Sequence, residues 1–334
     1  MKKFVEMCSK IGAMKDYVQG GGGNASCKHD GNKMAIKASG FTIGEITETA
    51  GYADVDYEKI RAYHTDVPES ELAEREANST PFTMSCVFEN GEGKILRPSV
   101  ETGFHSIMKK YVMHTHPVYA NVITCTENGA DLAKKILGDI DFVWIPYINP
   151  GFSLTLAIKD SVDAYEKENG NYPEIIFLEN HGLITTSDDA EKCLALHFDV
   201  NEEIKAYFGA DDFCGEINLK EKDGAFVCED SFVSDFLDDF GVEEIGKSIL
   251  YPDQLVYLNA AMNDGKVSFE GNAIIIKAAE KEASAIIETF AAYCYVLTAM
   301  KKAALKVQTM DSAATGFINN WESEKYRKSI ASGK

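Results

Sequence analysis

Residues 112–117 are Val-Met-His-Thr-His-Pro, and residues 175–182 are Ile-Ile-Phe-Leu-Glu-Asn-His-Gly. The first stretch alternates like a strand and stops at Pro117, and the second is a buried-strand pattern that leads directly to His181. Side chains two residues apart in a strand lie on the same face, about 7 Å apart at the backbone. Bonds of about 2.0–2.1 Å to one Zn²⁺ can close that gap. We therefore predict that His114, His116 and His181 bind one divalent metal.

Three neutral imidazoles leave the ion its double positive charge and at least one open position, as in catalytic zinc sites. An isolated H-x-H pattern is weak evidence for metal binding, because surface and core histidines produce it too. The remaining histidines have no role that the sequence reveals: His29, His64, His105 and His197. We interpret His105 and His197, on predicted helices, as hydrogen-bonded structural residues. The metal prediction therefore depends on the motifs around the triad.

The composition limits the classes of partner. Of 334 residues, 45% are hydrophobic, which is typical of a globular protein, and the formal net charge is −20. A surface this acidic repels phosphate backbones and anionic lipid, so nucleic acid and membranes are excluded as expected partners. The eight dispersed cysteines predict free thiols in a reducing cytoplasm. No signal core and no stretch near the roughly 20 apolar residues of a membrane helix is expected.

Helices and strands alternate along the sequence, which indicates an α/β layered architecture. We predict helices at 1–19, 101–111, 128–137, 161–169, 188–208 and 278–307, a further helix within 54–77, and strands at 34–37, 112–116, 141–148, 175–178, 254–258 and 273–276. The composition changes around 209–224. We therefore predict a metal-binding catalytic domain at 1–214 and a C-terminal α/β extension at 215–334, in which we identify no chemistry.

Five motifs occur in a fixed order over about residues 1–210. They are Gly23-Asn24-Ala25-Ser26, Ala38-Ser39-Gly40, Arg97-Pro98-Ser99-Val100-Glu101, His114-Thr115-His116-Pro117 and Asn180-His181-Gly182. Together they resemble the class II aldolase/adducin family of zinc-dependent sugar-phosphate aldolases and epimerases. With Tyr251-Pro252-Asp253-Gln254, they are most similar to the aldolase part of long rhamnulose-phosphate aldolase/dehydrogenase proteins. No G-x-G-x-x-G nucleotide-binding motif follows a predicted strand.

The resemblance implies a three-layer α/β/α sandwich around a mostly antiparallel sheet. It implies that His114, His116 and His181 bind Zn²⁺, or another divalent metal such as Mn²⁺ or Co²⁺, and that Glu101 is the catalytic base. A first-turn carboxylate facing solvent is the alternative for Glu101. The phosphate of the substrate would lie on Asn24, Ser39, Gly40 and Ser99, through small polar side chains and backbone amides. Val100 departs from the family, since the well-known aldolases have a second serine there.

The activity implied is cleavage of a ketose 1-phosphate, such as rhamnulose or fuculose 1-phosphate, to dihydroxyacetone phosphate and an aldehyde through a metal-stabilised enediolate. A 4-epimerase or a methylthioribulose-phosphate-type dehydratase is the alternative on the same site. A non-catalytic adducin-like module is expected to lose the histidines, which this sequence keeps. The partner is a small phosphorylated sugar. A homo-oligomer, by resemblance a tetramer, is expected. Tyr119 and Tyr147 are both candidates for a proton-donating tyrosine, and the motifs align neither of them with the family.

Overall fold

The structure is a computed structural model that describes residues 1–90, 93–214 and 216–320. Its helices are α1 Lys2–Gly12, α2 Tyr57–Tyr63, α3 Leu72–Ser85, α4 Thr102–Ile107, α5 Val118–Thr124, α6 Gly129–Leu137, α7 Phe152–Asn169, α8 Ala190–Phe208, α9 Ser231–Asp239, α10 Glu244–Lys247, α11 Ala260–Asn263, α12 Glu280–Lys302 and α13 Ser312–Asn320. Its strands are β1 Asn24–His29, β2 Lys33–Lys37, β3 Tyr52–Asp56, β4 Tyr111–Thr115, β5 Val143–Ile145, β6 Ile175–Leu178, β7 Gly182–Ser187, β8 Lys220–Lys222, β9 Ala225–Cys228, β10 Val267–Glu270 and β11 Ala273–Ile276. A π-helix spans Gln254–Asn259.

The first seven strands form one sheet in the order β3-β2-β1-β4-β7-β6-β5. Neighbouring strands are antiparallel except β5 and β6, which are parallel. The predicted mostly antiparallel sheet is therefore confirmed. Strand β4 lies in its centre, with Asn24 of β1 opposite His114 and Leu183 of β7 opposite Thr115. The two histidine segments thus meet at one end of two neighbouring strands.

Helices cover both faces of this sheet. Successive residues of a strand point to opposite sides, so each face presents its own side chains to a layer of helices. Val112 packs with Phe104 of α4 and Ile158 of α7 in one buried cluster. The next residue, Met113, packs on the other face in a cluster that includes Ile123 of α5. Helices α1, α6 and α8 contribute to that second face. The three-layer α/β/α sandwich predicted from the sequence is confirmed.

The part of the chain after residue 215 contains a second sheet, in the order β10-β11-β9-β8. Its hydrophobic side chains join the larger cluster of the first part: Phe236, Ile274 and Phe290 belong to the same buried core as Met113 and Ile123. A continuous core does not by itself separate two folding units. The division into 1–214 and 215–334 therefore stays a prediction.

Helix α12 is more apolar than we expected, because the sequence predicted no segment long and apolar enough to cross a membrane. Its 23 residues contain a window with a mean hydropathy of 1.4, which is long and apolar enough to cross a membrane. Within the structure, 72% of that window is buried. Phe290 and Val296, both fully buried, lie in the large core. Burial of this kind is typical of the central helix of a folded domain.

Three other predicted elements are wrong in extent or type. The N-terminal helix ends at Gly12 rather than at residue 19; a Cβ on Gly12 would lie 2.4 Å from the backbone nitrogen of Gly44, so the chain turns away at a close crossing. Residues 254–258 form a π-helix instead of a strand. A short apolar run does not distinguish a strand from a buried helix by its periodicity. Helix α7 also begins at Phe152, earlier than the predicted Ser161.

All eight cysteines are free, and seven of them are buried. Burial raises the pKa of the Cys125 thiol to about 12 and that of Cys193 to about 12. Such thiols stay protonated and unreactive at neutral pH. The prediction of buried free thiols is confirmed.

Candidate metal centre

The three predicted ligands come together at the end of β4. His114 is within the strand, His116 follows its last residue, and His181 lies in the hairpin between β6 and β7. Antiparallel pairing of β4 with β7 places this hairpin beside His116. One ring nitrogen of each histidine lies within 4.8 Å of those of the other two, and all three side chains are buried. The structure therefore contains a histidine triad that can hold a metal ion.

The ring tautomers fit a metal. His114 Nδ1 is 3.1 Å from the carbonyl oxygen of Leu183, which can only accept, so Nδ1 donates and Nε2 carries the lone pair. His116 Nδ1 is 2.5 Å from a carboxylate oxygen of Asp253, which fixes the same tautomer. The two Nε2 atoms are 3.2 Å apart. Two nitrogens bound tetrahedrally at about 2.0–2.1 Å lie about 3.3 Å apart, so the spacing suits a shared ion.

The charge state of the triad also suits a metal. Burial lowers the pKa of His114 to about 4, although the carboxylate of Glu101 partly opposes the shift. His114 is therefore neutral at pH 7 and available as a ligand, because imidazole coordinates a metal in its neutral form.

Glu101 lies against the triad, at the N-cap of α4, and its side chain is 7% exposed. Its Oε2 is 3.5 Å from His114 Nε2, and its Oε1 is 3.4 Å from His181 Nε2. Within residues 1–90, 93–214 and 216–320, Oε1 has no hydrogen-bond partner. A buried carboxylate oxygen without a partner is costly unless a cation or a ligand group satisfies it. The solvated first-turn alternative does not describe this side chain.

Asn24 and Ser99 hold Glu101 in this place. The amide of Asn24 donates to Glu101 Oε2 at 2.6 Å and to Ser99 Oγ at 3.1 Å. Ser99 Oγ also accepts from the backbone nitrogen of Glu101 at 3.3 Å. On its other side, the Asn24 carbonyl oxygen contacts Nε2 of His105. The side-chain amide of Asn24 therefore donates both to the Glu101 carboxylate and to Ser99.

Burial also lowers the pKa values of the two histidines that we expected to be structural. That of His105 falls well below its ordinary value, and that of His197 falls to about 3. His105 Nδ1 lies 2.7 Å from Ser26 Oγ. His197 lies between two threonines of the central strands, with Nε2 2.7 Å from Thr115 Oγ1 and Nδ1 3.0 Å from Thr185 Oγ1. Their interpretation as hydrogen-bonded structural residues is confirmed.

A cavity of about 400 Å³ opens onto the triad. Four of its lining residues are those for which the resemblance implies phosphate contact, Asn24, Ser39, Gly40 and Ser99, and Glu101, His116 and His181 line it too. Ser39 Oγ donates to the carbonyl of Pro98 at 3.0 Å, which ties its loop to the segment that carries Ser99. The metal side and the predicted phosphate side thus share one space.

Several lining residues come from the part in which we identified no chemistry. Asp253, Tyr257, Lys281, Ser284 and Glu288 line the cavity opposite the loops of the first part. One of them, Asp253, contacts His116 directly. The Tyr-Pro-Asp-Gln motif at 251–254 was a signal in the sequence, but its spacing from the histidines, 137 residues for Asp253 and His116, predicted no contact.

Tyr119 and Tyr147, the tyrosines proposed from the sequence, are not among the described residues that line the cavity of this chain. The hydroxyl of Tyr119 donates to Asp16 at 3.2 Å, and that of Tyr147 donates to Asn149 at 3.3 Å. Among the described residues, Tyr257 is the tyrosine that lines the cavity, and its hydroxyl accepts from the backbone nitrogen of Gly21 at 3.2 Å. The C-terminal part therefore supplies the phenol nearest the predicted substrate space.

Comparison with known proteins agrees with this geometry. The model of the Class II Aldolase and Adducin N-terminal domain matches residues 2–208. The N-terminal class II aldolase domain of a conserved protein from Thermoplasma acidophilum is 25% identical, with a TM-score of 0.51, over 61% of this chain and 92% of that chain. An L-fuculose 1-phosphate aldolase is 20% identical, with a TM-score of 0.41, over 62% of this chain and 83% of that chain.

An uncharacterized oxidoreductase of Bacillus subtilis strain 168, YuxG, is 28% identical over 218 residues. The match covers 62% of this chain and 29% of that relative, so this chain corresponds to less than a third of its length. The family model covers more than half of this chain and includes the triad, Glu101 and the loops of the cavity. The chain therefore belongs to the class II aldolase and adducin N-terminal domain family.

Proposed function

We propose that this protein is a metal-dependent aldolase that cleaves a ketose 1-phosphate to dihydroxyacetone phosphate and an aldehyde, with Zn²⁺ on the triad. The leading substrates are deoxy-sugar phosphates such as rhamnulose or fuculose 1-phosphate. One observation carries the proposal: Oε1 of Glu101, which has no hydrogen-bond partner among the described residues, lies 3.4 Å from His181 Nε2, beside a histidine triad at the edge of a cavity. Metal-dependent carbon–carbon cleavage next to a ketone uses a Lewis acid and a proton carrier side by side.

A divalent metal on His114, His116 and His181 supplies the Lewis acid for the charge that develops on the ketone oxygen. The charges of the cavity would make such an ion favourable for binding an anionic substrate. Three lysines and four acidic residues line it: Lys15, Lys37, Lys281, Glu101, Asp253, Glu280 and Glu288. The lining is therefore net negative without a metal, and a double positive charge reverses its sign. With a formal net charge of −20 over the whole chain, this local reversal matters for phosphate binding.

Glu101 is the proposed carrier of the proton at carbon 3 of the ketose. In cleavage the bond between carbons 3 and 4 breaks and its electron pair passes to the enediolate, the carbon 4 hydroxyl releases its proton to solvent, and carbon 3 gains a proton from Glu101, which solvent then protonates again. Glu101 can give that proton from Oε1, while Asn24 keeps Oε2 fixed at 2.6 Å. A carboxylate held on one oxygen and open on the other is suited to proton transfer at a single position.

The proposed phosphate site lies on the loops of Ser39, Gly40 and Ser99, at the edge formed where Ala38 bridges to Pro98. The ammonium of Lys37, which is 5% exposed, donates to the carbonyl oxygens of Gly21 and Phe41 at 3.2 and 2.7 Å. Lys37 therefore connects the glycine run, Gly20 to Gly23, with the loop after Ser39. Its ammonium group adds positive charge next to that loop. Asn24 faces this space as well, although its amide hydrogens contact Glu101 and Ser99.

The similarity to the aldolase part of long rhamnulose-phosphate aldolase/dehydrogenase proteins makes rhamnulose 1-phosphate the first substrate to test. We further propose that the protein is cytoplasmic and forms a homo-oligomer, a tetramer by resemblance. Light scattering of the purified protein would measure its mass; a monomer at micromolar concentration would contradict the oligomer.

Product analysis tests the proposed reaction. The metal-loaded protein is incubated with a panel of ketose 1-phosphates, and dihydroxyacetone phosphate is measured with a coupled reduction. We expect the triose phosphate and an aldehyde in equal amounts, and none from a Glu101→Gln variant. The same site could serve a 4-epimerase or a dehydratase, so an epimer or a dehydrated ketone without triose phosphate would reject aldol cleavage.

A further inference from the structure

The carboxylate of Asp253 is 1% exposed and lies 2.5 Å from Nδ1 of His116. Asp253 immediately precedes the π-helix Gln254–Asn259, in the part of the chain outside the matched family domain. Single π-helical turns are rare and often occur at functional sites. The contact thus connects the C-terminal part with one ring of the triad.

The glycine run leaves room for this contact. A Cβ on Gly22 would lie 2.2 Å from Asp253 Oδ2, far inside any real contact distance. Any larger residue at position 22 must displace the carboxylate or the backbone. The absence of a side chain at Gly22 is therefore a steric requirement for the Asp253–His116 pair.

The C-terminal part fixes the hairpin of His181 too. Asn180 has a left-handed backbone, with φ at 49°, and its amide donates to the carbonyl oxygens of Leu250 and Gln308, both at 2.8 Å. Two of the three candidate ligands are thus held by segments after residue 215. His114 is held within the first part, by the carbonyl of Leu183.

We propose that Asp253 is a positioning residue for the metal ligand His116 and that the C-terminal part sets the metal affinity of the site through it. The inference rests on the metal centre of the proposed function. A carboxylate that accepts from Nδ1 keeps the lone pair on Nε2, fixes the ring plane and raises the basicity of the ligand. Loss of such a partner typically lowers metal affinity about 10- to 100-fold.

The test measures Zn²⁺ affinity of the metal-free full-length protein by competition with a chromophoric chelator. Asp253→Asn is isosteric, but its amide can donate to Nδ1 and so place the proton on Nε2, where it blocks coordination. We expect zinc affinity to fall about 10- to 100-fold, with partial recovery in Asp253→Glu. The visible spectrum of the Co²⁺-loaded protein should change in Asp253→Asn, which a general loss of stability would not produce.

Glu282→Gln is the matched control, because Glu282 also forms an ion pair in the C-terminal part, with Lys266, and does not line the cavity. It should bind Zn²⁺ as the unchanged protein does. Gly22→Ala is the second variant: it displaces the Asp253 carboxylate without removing it, and its zinc affinity should also fall. It decides the matter if Asp253→Asn does not fold.

The outcomes separate the two proposals. If the unchanged protein binds no Zn²⁺, the metal centre itself is wrong. If it binds Zn²⁺ and folded Asp253→Asn and Gly22→Ala bind it equally well, with the same Co²⁺ spectrum, the metal centre stands and the role of Asp253 is overturned.

Discussion

The amide nitrogen of Asn24 lies 2.6 Å from Oε2 of Glu101, at the start of the strand that pairs with β4. The pair is buried and connects strand β1 of the sheet to the carboxylate oxygen of Glu101 that does not face His181. It gives Asn24 a place in the site different from a simple phosphate ligand. The consequence can be measured in steady-state kinetics.

Asn24→Ala should lower kcat more than it raises KM. Without the amide, Glu101 loses the partner that fixes its orientation, and displacement of a catalytic group by about 1 Å can cost about 100-fold in rate. The measurement is the initial rate of triose phosphate release at varied ketose 1-phosphate. A rise in KM with kcat unchanged would instead indicate that Asn24 binds the phosphate directly.

Ser39→Ala is expected to behave in the opposite way. Ser39 lines the cavity and touches neither Glu101 nor the triad. Loss of one hydroxyl contact should raise KM about 2- to 10-fold, the equivalent of about 0.5–1.5 kcal/mol, with little effect on kcat. The unphosphorylated ketose serves as the control substrate, because its KM should not respond. An equal change for both sugars would speak against a phosphate contact at Ser39.

Glu101→Gln should remove the proton-transfer step and keep the metal. The amide can still hydrogen-bond to its neighbours but cannot carry the proton, so we expect kcat to fall about 100- to 10,000-fold. Exchange of the carbon 3 hydrogen of dihydroxyacetone phosphate with D₂O, followed by NMR, isolates this step from the aldehyde. Bound metal, measured by elemental analysis, should be unchanged. Undiminished exchange would assign the proton to another group.

His116→Ala and His181→Ala should each reduce the bound metal to well below one ion per chain. Removal of one ligand leaves two histidines, too few for a stable zinc site. His29→Ala is the matched control, since His29 lies at the opposite end of β1 from Asn24, where its ring contacts Asp54 of β3. Metal content that is unaltered in His116→Ala would contradict the ligand set.

Stability should fall in acid because of His197. Burial holds the pKa of this ring at about 3, whereas an unfolded histidine titrates near 6.5, so unfolding takes up a proton between these values. The free energy of unfolding therefore decreases as the pH falls below about 6.5, by at most about 1.4 kcal/mol per pH unit for this residue. We would measure the free energy of unfolding of the metal-free protein in urea at pH 7, 6 and 5. The slope of this free energy against pH should be smaller for His197→Gln than for the unchanged protein. Equal slopes would mean that His197 does not contribute.

The histidine triad could be predicted because its geometry is local. Strand periodicity places His114 and His116 side by side, and the pattern before His181 indicates a strand that ends there. Layer architecture followed from the family motifs in the same way. Contacts between distant segments could not be predicted. The spacing of His116 and Asp253 does not indicate that they are in contact, and a single sequence does not show which distant segments pack together.

The error at residues 254–258 has the same origin. Gln-Leu-Val-Tyr-Leu contains apolar residues that suit a strand, yet it is buried on all sides between α12 and the glycine run, where periodicity carries no information. Tyr257 was missed as a lining residue for this reason. Helix ends were displaced where a close backbone approach, such as Gly12 against Gly44, determined the turn.

The glycine run 20–23 also bears on how tightly a ligand can bind. A Cβ on Gly20 would meet Ala285 at 2.9 Å, and one on Gly21 would meet the hydroxyl of Tyr257 at 2.8 Å, so this side of the cavity is packed before any ligand arrives. The backbone nitrogen of Gly20 is further held by Glu288 at 2.8 Å. A wall that is already ordered loses little conformational entropy on binding, so more of the contact energy remains as affinity. On this side of the cavity, a substrate therefore binds to a preorganised surface, and no flexible loop has to fold around it.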